Sequence, residues 1–429
     1  MTKHPKLTAL CSALTTITAM PLWAAQPVRV DVGAGMEFHS NAALVSEDEE
    51  SDLVRVARAG IAWADPVGPL SGDINYRADR RDFADDVDED ETAINGNAML
   101  KWDVAPRLLD VIVQHQISRT QTDLSTTNTA GNRERRSVLT GGLDGFLHLS
   151  SVDSLIISPR YTEVSFSEST QSDSKRSTGD VIWQHQLDAL SKLSVQGGVG
   201  RVRFDDSQQD YDSNSAQVAY QTALSRLSYS VSAGVSKFKR DNASDVSGNS
   251  LHLSADYRGQ GFNVGGNFVR ELTDSSIGLS QNTFTIDNFT ANDSNFNQVD
   301  ILQREQLDLY WRQELSAAST LSFSVGGTRD HYKETPRDQD VYYGQIDYRY
   351  TVNSFWSLGL LGRAERTRFL DDPQDLEYKS TTYTASVRYR FNPHADAQLS
   401  LSRQDRNANL DDRDYTDNVA MIDFTYRFY

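Results

Sequence analysis

Lys101, Arg258, Arg312, Arg349, Arg388, Arg390 and Arg427 share one placement. Each falls within a few residues of a short turn or of the end of the chain, on the polar side of a run that alternates apolar and polar residues. Cations ringing one mouth of a tube would attract anionic solutes and bias passage toward anions. The same strand faces carry Asp256, Asp308, Glu314, Asp347 and Asp423, which would neutralise several of the seven and reduce the ring to ordinary wall chemistry. Only Arg388 and Arg390 have no acid on the same face of their own strand, so the selective reading rests most on that pair.

Other residue types speak against chemistry of bond making. His39, His115, His148, His185, His252, His331 and His394 are scattered one per strand or loop, and neither HExxH nor GxSxG occurs, so the chain reads as a non-enzyme with no cofactor and no metal. His115 and His185 share the apolar parity and are expected near the edge of the apolar zone. The acidic runs SEDEESD (46–52) and DDVDEDE (85–91) lack the Gly and terminal Glu spacing of a calcium loop. They read as solvated charge, or as carboxylates holding divalent ions against lipopolysaccharide. Tyr310, Tyr343, Gln114, Gln116, Gln184, Gln217 and Gln221 fall on the polar parity and suit sugar handling as well as plain wall. A net charge of −18 leaves no basic surface for nucleic acid.

The elements that must position these residues are strands. Residues 224–238, LSRLSYSVSAGVSKF, put Leu227, Tyr229, Val231, Ala233 and Val235 on one side and serines and a glycine on the other, the period of two of a half-buried strand. Only Ser225 and Arg226 separate it from an equally alternating run, so the two form a hairpin. Short turns recur at Asp65–Ser71, Asp103–Arg107, Ser150–Asp153, Asp188–Ser191, Ser225–Arg226, Arg258–Gly261, Ser316–Ser319, Thr351–Ser354 and Asn392–Ala395. Stretches rich in Asp, Ser, Asn and Gln alternate with them. The count predicts an all-β chain of about 20 strands closed into a single antiparallel transmembrane barrel, with short periplasmic turns and long extracellular loops.

A β-sandwich or propeller would also show many strands with frequent turns. Neither could accept Asp144, Arg160, Asp256, Asp308, Asp347, Arg363 and Arg388 in mid-strand on a buried face, whereas a water-filled lumen could. Trp63, Trp102, Tyr257, Trp311, Tyr348, Tyr350, Tyr389, Phe391, Tyr426 and Phe428 gather on the apolar parity near short turns or the terminus, where an interfacial girdle belongs. The closing AMIDFTYRFY sets Ile422, Phe424, Tyr426 and Phe428 on the lipid side, a row like the terminal signal read by barrel-assembly machinery, with Tyr429 one residue beyond it.

Residues 1–25 read as a secretory signal peptide, with Lys3 and Lys6 ahead of an apolar stretch and cleavage after Ala24 or Ala25; residues 26–429 are then the barrel. Leu10 stands where a small residue would precede a lipidated Cys11, so lipidation is not expected. A barrel this wide needs narrowing, and the connection 270–300 is the candidate constriction. It carries Leu272, Ile277, Leu279, Phe284, Ile286, Phe289 and Phe296, apolar residues that want cover. Inward folding and a plain hairpin standing above the membrane are both open.

The opening VDVGAGMEFHSN (30–41), the stretch RELTDSSIGLS (270–280) and the closing DFTYRFY resemble the outer-membrane barrels of the β-barrel porin type 2 family. That resemblance implies about eighteen strands, somewhat fewer than the turn count. It also implies a conduit for a secreted exopolysaccharide, in biofilm-type export, working with periplasmic export proteins and set among lipopolysaccharide in the outer membrane of a Gram-negative bacterium. A passive porin or uptake channel for small solutes is the alternative.

Overall fold

The computed structural model describes residues 28–123, 125–241, 243–277, 299–371, 376–410 and 413–428. The signal peptide read at 1–25, Cys11, and five of the constriction residues (Leu279, Phe284, Ile286, Phe289 and Phe296) lie outside the described residues.

Among the described residues are twenty strands: β1 (Arg29–His39), β2 (Asp52–Asp65), β3 (Leu70–Phe83), β4 (Glu91–Ala105), β5 (Leu109–Gln121), β6 (Arg133–His148), β7 (Asp153–Phe166), β8 (Ser174–Gln186), β9 (Ser191–Phe204) and β10 (Tyr211–Ala223) form the first half. The second half is β11 (Leu227–Arg240), β12 (Val246–Arg258), β13 (Phe262–Asp274), β14 (Ile301–Ser316), β15 (Ser319–Tyr332), β16 (Gln339–Thr351), β17 (Trp356–Phe369), β18 (Glu377–Arg390), β19 (Ala395–Ala408) and β20 (Tyr415–Phe428). Each strand pairs antiparallel with the next. β20 closes on β1, from Val30 opposite Phe428 to His39 opposite Val419. The expected short turns all join strands at one end, which is called the turn end below; the longer connections lie at the other, the loop end. In the β12–β13 turn Gly261 takes φ 77, a left-handed conformation that a side chain would strain. The ladder has twenty strands where the family resemblance implied about eighteen.

Followed once around, the register returns to β1 displaced by about 26 residues. For twenty strands about 4.8 Å apart, that stagger sets a tilt of about 40° and a backbone diameter of roughly 40 Å.

The period-two pattern decides which face is which. Val199 and Val235 are 63% and 60% exposed on the outer face, while inward neighbours are polar or small. The apolar outer belt is edged at the turn end by an aromatic row in contact: Trp356–Tyr389 centroids lie 4.6 Å apart, Tyr389–Phe391 4.9 Å and Tyr426–Phe428 4.9 Å. Toward the loop end the same outer faces turn charged, with Arg201, Arg366 and Arg403 exposed.

Candidate functional site

The lumen has three levels. At the turn end, the seven predicted cations do point inward by the register, but they do not form a ring. Six lie on alternate strands from β12 to β20, a crescent, and Lys101 stands apart on β4. Most are paired. Lys101 Nζ lies 2.8 Å from Asp110, Arg258 3.2 Å from Asp256, Arg349 3.0 Å from Asp347, and Arg427 2.5 Å from Asp396. Arg388, read from its own strand as unneutralised, reaches across to β19, donating to Gln398 at 2.7 Å and lying 3.7 Å from Asp396. Same-strand parity missed that acid because neutralisation here crosses the ladder. Among the described residues, Arg312 and Arg390 are the exposed lumen cations of this crescent with no ion pair.

At the middle level, ion pairs stitch the closure seam. Arg58 on β2 meets Glu37 of β1 at 3.3 Å, Asp79 of β3 at 3.2 Å, and Asp423 of β20. Toward the loop end of the same seam, Arg81 also reaches Glu37, and His39 lies 2.7 Å from Asp417. On the facing wall, Tyr310 donates to Asp256, and Tyr343 donates to Asp308 at 2.9 Å beneath the guanidinium of Arg363. Both rings lie against glycines. A Cβ at Gly326 would come 2.8 Å from Tyr343, and one at Gly265 would come 2.7 Å from Tyr310.

The loop-end level is where the barrel departs from a simple cylinder. β13 pairs with β12 only from Asn263 to Arg270, whereas it stays paired with β14 up to Asp274 opposite Ile301. The outer end of β12 is therefore left without its β13 partner, and the described outer ends of the β13–β14 hairpin, residues 271–277 and 299–303 (its tip among the described residues), lean into the lumen. Leu272 packs on the inner side of β12, where a Cβ at Gly248 would meet its Cβ at 3.1 Å. With Val202, Phe204, Tyr211, Phe238, Val299 and Ile301 it makes an apolar cluster inside the mouth. Tyr211 and Phe238 stack at 4.8 Å within it.

Asp274 ends this hairpin arm and is held by residues from other strands. Arg176 of β8 donates to it from both terminal guanidinium nitrogens, Nη1 at 2.6 Å and Nη2 at 3.0 Å, and Tyr211 of β10 donates at 2.5 Å. Arg176 also donates to Ser276 at 2.5 Å, and Ser276 N donates back to Asp274 at 3.0 Å. The pair is almost wholly buried, with side-chain exposures of 6% and 1%. Two charges removed from water in this way hold only when their hydrogen-bonding capacity is filled, as it is here. A second buried pair, Arg304–Asp330 at 2.6 Å, secures β14 to β15 below the tip, and Arg240 of β11 pairs with Glu334 beyond β15. Asp300, just before β14, accepts from the backbone of Thr335 at 2.8 Å.

From the other side, the β5–β6 connection crosses toward β19. Arg406 donates to Thr126 O at 2.9 Å and Arg413 to Ser125 O at 2.5 Å, with Arg406 stacked 3.8 Å over Tyr378. Segments thus lie over two sectors of the loop-end mouth.

The remaining predicted positions fall as follows. Leu272 belongs to β13 itself rather than to a loop, and Ile277 lies just past the strand. Ile422, Phe424, Tyr426 and Phe428 all face outward. His185 sits at the turn-end edge, 2.8 Å from Asp153 and stacked on Trp183. His115 does not. It lies mid-strand on the outer face of β5, bonded to Tyr76 Oη at 2.6 Å and Ser137 Oγ at 3.0 Å, so local partners replace the expected edge position. Gln114, Gln116, Gln184, Gln217 and Gln221 line the lumen by register.

Arg176 and Asp274 escaped the sequence reading. One signal pointed to their surroundings: Val202, Phe204, Tyr211, Phe238 and Val246 are apolar on the otherwise polar parity of four consecutive strands, which demands an inward partner.

No protein-family model matches the chain, and no curated protein matches it. Among solved structures it is similar to the siderophore receptor PirA from Pseudomonas aeruginosa, with TM-score 0.45 and 13% identity over 94% of this chain and 80% of that one. It is similar also to the outer membrane protein OpdK from the same organism, with TM-score 0.40 and 8% identity over 94% and 99%. A loop L8 deletion mutant of OmpT, an outer membrane protein of Vibrio cholerae, gives TM-score 0.36 and 10% identity over 94% and 99%. Likenesses this low add nothing to the architecture, which rests on the closed ladder itself.

Proposed function

We propose that the barrel crosses the outer membrane of a Gram-negative cell with its loop end outward, and passes small hydrophilic solutes through a lumen narrowed at the outer mouth. The apolar belt with its aromatic edge supports the membrane setting. The observation that carries the channel reading is the β13–β14 tip docked inside the mouth by the buried Arg176–Asp274 pair. An unobstructed cylinder of roughly 40 Å would leak indiscriminately, and this tip removes part of that cross-section.

The exopolysaccharide conduit is the second reading. It is supported by Tyr310 and Tyr343, aromatic faces with carboxylate partners on the lumen wall, and by the sequence resemblance. It ranks lower because both segments narrow the mouth through which a polymer would leave.

Single-channel conductance of the refolded chain in planar bilayers tests the proposal. The intact protein should give a small or flickering conductance, and Asp274→Asn a larger, steadier one. Equal conductance in both would remove the constriction, and silence in both would remove the channel. Block of the Asp274→Asn channel by added polysaccharide, with none of the intact one, would favour the conduit.

A further inference from the structure

The outward face of β16–β20 and β1 is not a uniform cylinder wall. Small residues there, among them Gly362 and Ala385, form the floor of a groove of about 770 Å³, walled by Ile346, Leu360, Tyr383 and Leu401. Its volume is in the range of ligand clefts. The groove runs along the apolar belt and ends at Arg403, where the outer face becomes charged.

Above it stand four cations on three adjacent strands: Arg366 and Arg368 of β17, Lys379 of β18 and Arg403 of β19. Lys379 sits directly opposite Arg366 in the ladder, a like-charge pairing that the single carboxylate of Glu377 offsets only in part. Three acids share or border this face: Asp340 of β16, opposite Arg368 in the ladder and held by Arg329 at 2.7 Å, and two on β18 and β19. Glu377 holds Arg366 at 2.8 Å, and Asp405 holds Arg403 at 2.8 Å. Arg368 and Lys379 are exposed and have no hydrogen bond or ion pair from their side chains among the described residues. A chain of net charge −18 thus places surplus positive charge at the head of an apolar groove.

We propose that this face binds one phosphorylated, multi-acyl glycolipid of the outer leaflet, a lipopolysaccharide, with acyl chains in the groove and phosphates on Arg368, Lys379 and the free guanidinium edges of Arg366 and Arg403. Apolar volume alone would accept any acyl chain; four cations spread over three strands select a headgroup carrying more than one phosphate. The acidic loops, read from sequence as the lipopolysaccharide contact, are not needed for it. The inference rests on the membrane-spanning reading with the loop end outward, but not on whether the lumen conducts.

Native mass spectrometry of the detergent-solubilised barrel tests it, using hexa-acyl lipid A with two phosphates, its monophosphoryl form, and dioleoyl phosphatidylglycerol as probes. The bisphosphorylated lipid should bind at one equivalent, at least tenfold tighter than the other two. Arg368→Gln with Lys379→Gln should lower that affinity at least tenfold, and Gly362→Leu should weaken all three lipids by filling the groove. Lys175→Gln with Lys239→Gln, on β8 and β11, should change nothing. Equal binding of the three lipids, an unaffected Arg368/Lys379 variant, or an equal loss in the β8/β11 control would each overturn the site. Single-channel conductance of the same variants serves as the check on folding and should be unaltered. Absence of selective lipid A binding by the intact barrel, with normal conductance, therefore fails this inference alone.

Discussion

Asp274 stands on the outward parity of β13, yet its carboxylate is buried inside the mouth against Arg176 and Tyr211. Parity arguments assume that a strand stays in the wall, and β13 leaves the wall after Arg270. The inward positions of Arg176 and Tyr211 could be read from alternation; their partner could not, because nothing local says where a hairpin tip will lean. Removing one member of a buried ion pair leaves the other uncompensated, at a cost of about 3–5 kcal/mol, whereas replacing both by apolar groups is often close to neutral. Asp274→Asn should therefore strip amide hydrogen-exchange protection from residues 271–276. The double variant Arg176→Met with Asp274→Leu should restore most of it, since Phe204 and Leu272 already supply an apolar setting. If the double variant exchanges as fast as the single one, burial of charge is not what the tip depends on.

Elements were more legible than sites, and for a physical reason. A strand with lipid on one side and water on the other must alternate, so period two and turn residues located all nine short turns and the ten connections between them. Alternation also oriented β20, whose Ile422, Phe424, Tyr426 and Phe428 face outward and whose Arg427 faces the lumen. β20 carries a double burden, because closure on β1 removes the last open edge of the sheet. Its aromatic row should then matter for insertion before it matters for stability. Tyr426→Ser with Phe428→Ser removes two side chains whose burial in lipid is each worth about 1.5–3 kcal/mol. We expect the variant to give a markedly lower yield of heat-modifiable barrel on refolding into lipid vesicles and a lower yield with purified assembly machinery. Thr425→Ser, one residue away on the lumen side, should leave both yields unchanged. Equal yields for the two variants would mean that the terminal row is not read in assembly.

At the scale of the whole molecule, the balance of charge along the lumen should set what passes. Sequence parity put seven cations near one mouth, and the ladder neutralises most of them with Asp110, Asp256, Asp347 and Asp396. What survives is local: Arg312 on β14 and Arg390 on β18, exposed on the lumen face. In a barrel of roughly 40 Å these two act over a small part of the cross-section, because the Debye length is about 8 Å at physiological ionic strength. A strong anion selectivity is therefore not expected from them, and a weak one is. Arg312→Gln with Arg390→Gln should lower the chloride-to-potassium permeability ratio about twofold in 0.1 M salt, measured as a reversal-potential shift under a gradient. In 1 M salt, where the Debye length falls to about 3 Å, the shift should nearly vanish. A shift that persists at high salt would mean that the two arginines line the narrowest point rather than a wide vestibule. No shift at either concentration would place the selecting level at the loop-end mouth, where Arg406 and Arg413 meet the β5–β6 connection.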